Sequence, residues 1–126
     1  MTPADPPTGS PAAPLDEATL NKLRELDPTG KNAVVARVLA AYEGSLEKFL
    51  AQLLAQAATP DGAVLAAIAH TLKSSSASVG ALQLSRNCEA LERSIRSGTA
   101  AQTHDVEQLI AQVRAAQGAV RHILRG

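Results

Sequence analysis

His70 and Lys73 are the residues of this sequence whose types and spacing best suit chemistry. They stand three residues apart in a segment with helical periodicity, so both side chains fall on neighbouring parts of one helix surface. An imidazole has an ordinary pKa of about 6.5, so its neutral form offers a nucleophilic ring nitrogen at cytosolic pH. A lone histidine on a helix is also typical of a surface or core residue without a role, and position alone leaves both interpretations open.

The predicted helix face around His70 carries small side chains. Projection at about 100° per residue places the apolar stripe, which includes Leu65, Ile68 and Leu72, opposite His70. Short side chains and one flexible cation at the margin of the face would let another protein's surface reach a ring nitrogen. The alternative is an Ala-rich face in an Ala-rich protein. The residues predicted to form a docking face are Ala66, Ala67, Ser74 and Ala77.

The sequence that begins at His70 follows a specific order of residue types. It reads HTLKSSSASVGAL, followed at helical spacing by Leu84, Cys88, Leu91 and Glu92. This order resembles the signature of histidine-containing phosphotransfer (HPt) domains: His, any residue, Leu, Lys, Gly, a stretch rich in Ser and Ala, then Gly, Ala, Leu, Cys, Leu and Glu. The family's fold is a four-helix bundle with a short preceding helix. It agrees in outline with the periodicity of the chain from residue 15 onward.

The resemblance implies a role in a phosphorelay. His70 would accept a phosphoryl group from the aspartyl phosphate of a response-regulator receiver domain and pass it to another receiver's aspartate. Lys73 would stabilise the charge of the phosphoryl oxygens during in-line transfer, unless it is simply a solvated surface lysine. Glu92 stands 22 residues after His70, where a family Glu or Gln can hydrogen-bond the imidazole and fix its tautomer. A helix-surface pair with Arg96, four residues on, is the alternative.

The residues after Lys73 include one departure from the family pattern. Ser74 stands where family members usually have Gly, so we expect a narrower choice of partner or slower transfer, without loss of the nucleophile. Ser75 and Ser76 flank the apolar stripe and are predicted to be structural, each bonding the carbonyl four residues back. Cys88 lies in the apolar stripe of the next helix and is predicted to be a small buried hydrophobe rather than a redox residue.

The partners implied by the resemblance are a receiver domain and a hybrid sensor kinase. In this family the receiver holds the magnesium ion of such reactions, so no metal or cofactor is expected on this chain. The sequence contains neither a GxxxxGK loop nor a kinase ATP-binding signature. We therefore expect a phosphocarrier without ATP-dependent kinase activity of its own. The alternative function is a helical docking module that binds a receiver or kinase without carrying phosphate.

Five helices are predicted to position these residues, after a Pro-rich leader over residues 1–14 that is expected to be disordered. Turn signals separate segments in which apolar residues recur every three or four positions. These segments are a short one within residues 15–26 and four long ones over about 31–58, 63–79, 82–97 and 103–124. Short connections favour an all-α, up-and-down antiparallel four-helix bundle with a short preceding helix, as one domain over residues 15–126.

Composition limits the classes of function. The 126 residues suffice for one domain, and 45% hydrophobic with 2% aromatic content predicts an aliphatic core. Twelve basic residues balance 12 acidic ones, which argues against binding of nucleic acid. The single cysteine excludes an internal disulfide, and the sequence has neither a membrane span nor a signal peptide. We expect a cytoplasmic monomer without a membrane partner.

Overall fold

The structure, a computed structural model, describes residues 15–125, and every regular element in that range is helical. The predicted all-α class is therefore confirmed. In this part of the chain, the helices lack the combination of length and hydropathy that a bilayer-spanning segment needs. The predicted leader over residues 1–14 lies outside the described residues. The five helices are α1 (Glu17–Glu25), α2 (Val34–Gln56), α3 (Gly62–Val79), α4 (Leu82–Arg96) and α5 (Thr103–Arg125).

Aspartate side chains set the start of α1 and α3. Asp16 accepts a hydrogen bond from the Thr19 amide at 2.9 Å, and Asp61 accepts one from the Val64 amide at 3.2 Å. These bonds satisfy first-turn amides that have no partner within their helix. The beginning of the helix that carries His70 is thereby fixed by local sequence.

The start of α2 differs from the prediction. The helix begins at Val34 rather than near Lys31, because Ala33 before it adopts a left-handed backbone conformation (φ 51°). The buried carboxylate of Asp27 accepts hydrogen bonds from the amides of Asn32 (3.0 Å) and Val34 (3.3 Å). An aspartate of the preceding turn therefore satisfies the Val34 amide, which the cap residue Ala33 cannot do with its own side chain.

The turn between α3 and α4 also anchors α1. Gly80 ends α3 with a left-handed backbone (φ 89°), as the sequence predicts for a C-terminal glycine. Its carbonyl accepts a hydrogen bond from the Asp16 amide at 2.8 Å. A Cβ at position 80 would lie only 2.8 Å from that amide nitrogen. Position 80 thus needs glycine both for its backbone conformation and for the close approach of α1.

The four long helices contact one another in a closed ring. α3 packs mainly against α4, and α2 packs mainly against α5. Contacts between α2 and α3 and between α4 and α5 complete the ring, while α1 contacts α2 and α3. The enclosed core is aliphatic, as composition predicts, and its fully buried side chains include Leu39, Leu46, Leu53, Leu65, Leu72, Val106, Val113 and Val120.

One polar pair lies inside this core. The hydroxyl groups of Tyr42 and Ser76 are hydrogen-bonded at 2.8 Å. Burial raises the pKa of Tyr42 to about 12, although the bond to Ser76 opposes the shift. The prediction that Ser76 bonds the carbonyl four residues back is wrong, because its side chain is buried and meets Tyr42 of α2 instead. The same prediction is confirmed for Ser75, whose hydroxyl donates to the Thr71 carbonyl at 3.2 Å.

Cys88 lies in the core on α4 with no exposed surface. Burial, with a smaller contribution from the negative charge of Glu92, raises the pKa of the Cys88 thiol to about 12. A neutral thiol is a weak nucleophile. The prediction that Cys88 is a small buried side chain is confirmed.

Gly80→Ala is expected to destabilise the protein by about 2 kcal/mol or more, because the new Cβ meets both a positive φ and the backbone of Asp16. Gly30→Ala is the matched control, since Gly30 also has a positive φ (73°) but a Cβ there would meet nothing within 4 Å. Urea unfolding of both variants measures the free energy of unfolding. Equal losses in the two variants would show that the contact with α1 does not constrain position 80.

Candidate functional site

α3 presents His70 at the molecular surface. Leu65, Leu72 and Val79 are buried on the core side of this helix, whereas the His70 side chain is 60% exposed. The predicted opposition between the histidine and the apolar stripe is therefore confirmed. An exposed ring on a helix whose other face is fixed in the core can be reached from solvent without movement of the backbone.

Glu92 of α4 lies against the ring of His70. Its Oε2 is 2.9 Å from Nδ1, and the Glu92 side chain is only 11% exposed. An ionised carboxylate only accepts hydrogen bonds, so Nδ1 is the donor. This bond fixes the orientation of the ring, and in the neutral imidazole it leaves Nε2 as the nitrogen without a hydrogen.

Two further cations contact the same carboxylate. Lys73 Nζ lies 3.2 Å from Oε1, and Arg96 Nε lies 2.8 Å from Oε2. The bond from Arg96 first, and then those from Lys73 and His70, lower the pKa of Glu92 to about 2 against the opposing effect of burial. The two alternatives for Glu92, contact with the imidazole and a pair with Arg96, are therefore present together.

The electrostatics around His70 suit an anion. Lys73 and Arg96 carry two positive charges against the one negative charge of Glu92. Both cations are partly exposed beside the ring, whereas the carboxylate between them is buried. An anionic group that approaches Nε2 would meet net positive charge.

Within residues 15–125, no group of three or more His, Cys, Asp or Glu side chains is arranged to hold a metal ion.

Ser85 fixes the register between α3 and α4 near this cluster. Its hydroxyl donates to the backbone carbonyl of Lys73 at 2.8 Å. Ser85 precedes Glu92 by seven residues, so both lie on the same side of α4 two turns apart. Sequence reasoning missed Ser85, although its heptad spacing from Glu92 was a visible signal.

The structure places three of the four predicted docking residues at the surface. Ala67, Ser74 and Ala77 are exposed on α3, and their role in docking stays a prediction. The prediction is wrong for Ala66, which is only 3% exposed. α3 contacts α1, α2 and α4, and a projection of α3 alone does not include these neighbouring helices.

A groove between α2 and α3 lies next to that face. Val64, Ala67 and Thr71 line it from α3, and Phe49 and Gln56 line it from α2. The groove is largely apolar, and Val64 is 41% exposed. Sequence reasoning missed it because it forms only when the two helices pack. The available signal was an apolar residue, Val64, outside the predicted stripe.

Comparison with known protein families identifies the chain. A family model described as "Hpt domain" matches residues 37–121, more than half of the chain. The chain belongs to the Hpt domain family. The resemblance seen in the motif is therefore confirmed, and the matched segment contains His70, Lys73 and Glu92. Comparisons with curated proteins and with solved structures return no match.

Family membership assigns the protein to two-component phosphorelays. Hpt domains are phosphocarrier modules rather than kinases, and they serve histidine phosphotransfer through phosphohistidine. They interact with receiver domains and kinases. The all-helical structure of this Hpt domain agrees with that assignment.

Glu92→Gln is expected to reduce the dependence of stability on pH under acid conditions. The pKa of the folded carboxyl is about 2, below its ordinary value of about 4.3. Ionisation of Glu92 therefore stabilises the folded state above the ordinary value, and this stabilisation is lost as the pH falls toward 2. Urea unfolding should show a difference between wild type and variant that shrinks as the pH falls from about 5 to about 2.

Glu89→Gln is the matched control for that measurement. Glu89 is an exposed glutamate of the same helix and pairs with Arg93 at 3.3 Å. The stability of the Glu89→Gln variant should depend on pH in the same way as that of the wild type. A change in Glu89→Gln as large as that in Glu92→Gln would place the effect outside the His70 site.

Proposed function

We propose that this Hpt domain relays a phosphoryl group between receiver-domain aspartates through a phosphohistidine at His70. The observation that supports the proposal best is the hydrogen bond from Nδ1 of His70 to the Glu92 carboxylate. The same His70 side chain is 60% exposed. With the proton held on Nδ1, the lone pair of Nε2 is the nucleophile. Nε2 is thus oriented before a partner arrives.

The proposed transfer needs no separate movement of a proton. The Nε2 lone pair forms a bond to phosphorus while the P–O bond of the aspartyl phosphate breaks, and the aspartate leaves with that electron pair as a carboxylate. The ring keeps its Nδ1 proton and gains positive charge beside the Glu92 carboxylate. Attack by the aspartate of a second receiver reverses these steps and regenerates neutral His70.

Lys73 is proposed to stabilise the phosphoryl group during both transfers. Its side chain is 32% exposed and stands one helical turn from His70. An ammonium group beside the phosphoryl oxygens offsets their charge in a reaction that depends mainly on positioning and electrostatics. The receiver's acidic pocket would hold the magnesium ion, which neutralises phosphoryl charge there, and this chain would bind no cofactor of its own.

The proposed docking face for the receiver consists of Ala67, Ser74 and Ala77. Their small exposed side chains let a second protein surface approach His70 closely. Ser74 replaces the usual glycine and adds a hydroxymethyl group one turn after the histidine. We expect this extra volume to restrict which receivers dock or how fast they react, without removing the acceptor.

The proposal includes an up-and-down antiparallel arrangement of the four long helices. The connection between α3 and α4 consists of only two residues, which favours antiparallel neighbours. The closed ring of helix contacts also supports this arrangement. We propose that residues 15–126 act as one monomeric phosphocarrier domain without kinase activity. Its partners would be a receiver domain and a hybrid sensor kinase in the cytoplasm.

His70→Gln is expected to abolish phosphoryl acceptance with little change in thermal stability, because the side chain is largely exposed. The purified variant and wild type are each incubated with a phosphorylated receiver domain, and an acid-labile, alkali-stable phosphoryl group is followed. Label on the wild type alone supports the relay. Label on both would place the acceptor elsewhere. No label on either, with binding still detected, would favour the docking module that carries no phosphate.

Ser74→Arg is expected to raise the KM for a phosphorylated receiver by roughly tenfold or more, since a long charged side chain obstructs the centre of the proposed interface. Ala111→Arg is the matched control, because it adds the same side chain at an exposed position of α5, which packs against α2 and α4 rather than α3. Transfer kinetics with increasing receiver concentration measure both. Equal KM values in the two variants would contradict the docking face.

A further inference from the structure

The Glu92 carboxylate accepts hydrogen bonds from three side chains, and its two oxygens accept different numbers of them. Oε2 accepts from both His70 Nδ1 (2.9 Å) and Arg96 Nε (2.8 Å). Oε1 accepts from Lys73 Nζ (3.2 Å). Arg96 and the imidazole therefore use one oxygen, whereas Lys73 contacts the other.

The proposed transfer places two demands on Lys73. Its ammonium group is paired with Glu92 in the structure, and the same group is proposed to stabilise the phosphoryl oxygens at His70. A movement of Lys73 toward the phosphoryl group would weaken its contact with a carboxylate that is only 11% exposed. A buried carboxylate without a cationic partner is unfavourable. The His70 ring gains its positive charge only as the bond to phosphorus forms, so another cation must neutralise Glu92 when Lys73 moves before that step.

Arg96 meets this requirement. It lies four residues after Glu92 on α4, and its guanidinium group contacts the oxygen that Lys73 does not use. Its contact with Glu92 therefore does not depend on the position of Lys73. It is also the largest cause of the lowered pKa of the Glu92 carboxyl.

We propose that Arg96 is a positioning residue that neutralises Glu92 and holds it against His70, so that Lys73 is free to move to the phosphoryl group. This inference rests on the proposed phosphoryl acceptance at His70. Without Arg96, Lys73 becomes the main cationic partner of Glu92 and is retained there. Loss of Arg96 therefore lowers the rate of transfer, although Arg96 acts through Glu92 and Lys73 rather than on the reacting atoms.

The same helix supplies a matched control. Arg93 pairs with Glu89 at 3.3 Å, also with a spacing of four residues, and both side chains are exposed. Arg93→Gln removes the same charge from α4 as Arg96→Gln does, but the ion pair that it breaks is with Glu89 rather than with Glu92. Arg96→Lys keeps a cation at position 96 and serves as the conservative variant.

The first measurement concerns the resting state of the protein and needs no phosphoryl donor. The carboxyl carbon of Glu92 is titrated by NMR in wild type, Arg96→Gln, Arg93→Gln and Arg96→Lys. The titration midpoint should rise in Arg96→Gln, stay unchanged in Arg93→Gln, and return toward the wild-type value in Arg96→Lys. An unchanged midpoint in Arg96→Gln would overturn the inference.

The second measurement is the rate of phosphoryl acceptance at saturating phosphorylated receiver. Arg96→Gln should lower this rate about tenfold, the loss expected for one charge-assisted hydrogen bond, with little change in KM. Arg93→Gln should match the wild type, and Arg96→Lys should recover most of the rate. Phosphoramidate, a small donor that needs no protein interface, should show the same order of rates.

The outcomes separate this inference from the proposed function. A wild type that takes no phosphoryl group contradicts the relay itself. If Arg96→Gln is phosphorylated as fast as the wild type, only the role of Arg96 is contradicted. If Arg96→Gln changes only the KM for the receiver and reacts normally with phosphoramidate, Arg96 is a receiver contact. If Arg93→Gln lowers the rate as much as Arg96→Gln does, the effect is one of overall charge. Either result would overturn the inference.

Discussion

The hydrogen-bonded carboxylate of Glu92 is the constraint on which the arrangement of the site depends. A nearly buried anion is stable only when it is paired and its oxygens accept hydrogen bonds. Glu92 obtains these bonds from His70 and Lys73 of α3 and from Arg96 of α4. Two of the three donors therefore reach Glu92 only when α3 and α4 lie in one register. The interaction that satisfies the buried charge also fixes the orientation of the imidazole.

Other contacts fix the position of α3 at successive heights along the helix. The Lys73 carbonyl accepts from α4, Ser76 bonds to α2, and the Gly80 carbonyl accepts from the start of α1. Each contact uses a backbone group or a buried hydroxyl, whose position cannot change without loss of a hydrogen bond. Because these bonds come from three different helices, α3 cannot slide against one neighbour without disturbing another. The ring of His70 is thus exposed on a helix that is itself held in place.

Sequence reasoning was most accurate where local geometry decides the result. The exposure of His70 and the end of α3 at Gly80 follow from helical spacing and from the conformational freedom of glycine. The predictions were wrong where contacts with another part of the fold determine the burial or the bonding of a residue. Ala66 is buried in the packed bundle, Ser76 bonds Tyr42 of α2, and the amides at the start of α2 bond a carboxylate from the preceding turn. A helical projection gives the direction of a side chain but not the elements that will pack against it.

The distribution of burial in the cluster explains how the site can receive a charged group. With a pKa of about 2, Glu92 is ionised throughout the physiological range, so the orientation that it gives the imidazole does not vary with pH there. The anion is buried, whereas Lys73 and Arg96 have long side chains that are partly exposed. Lys73 can therefore change its partner at the surface while the anion stays in place. With the opposite distribution, an arriving anion would have to displace the carboxylate from buried cations, and the imidazole would lose its orientation as the phosphoryl group approached.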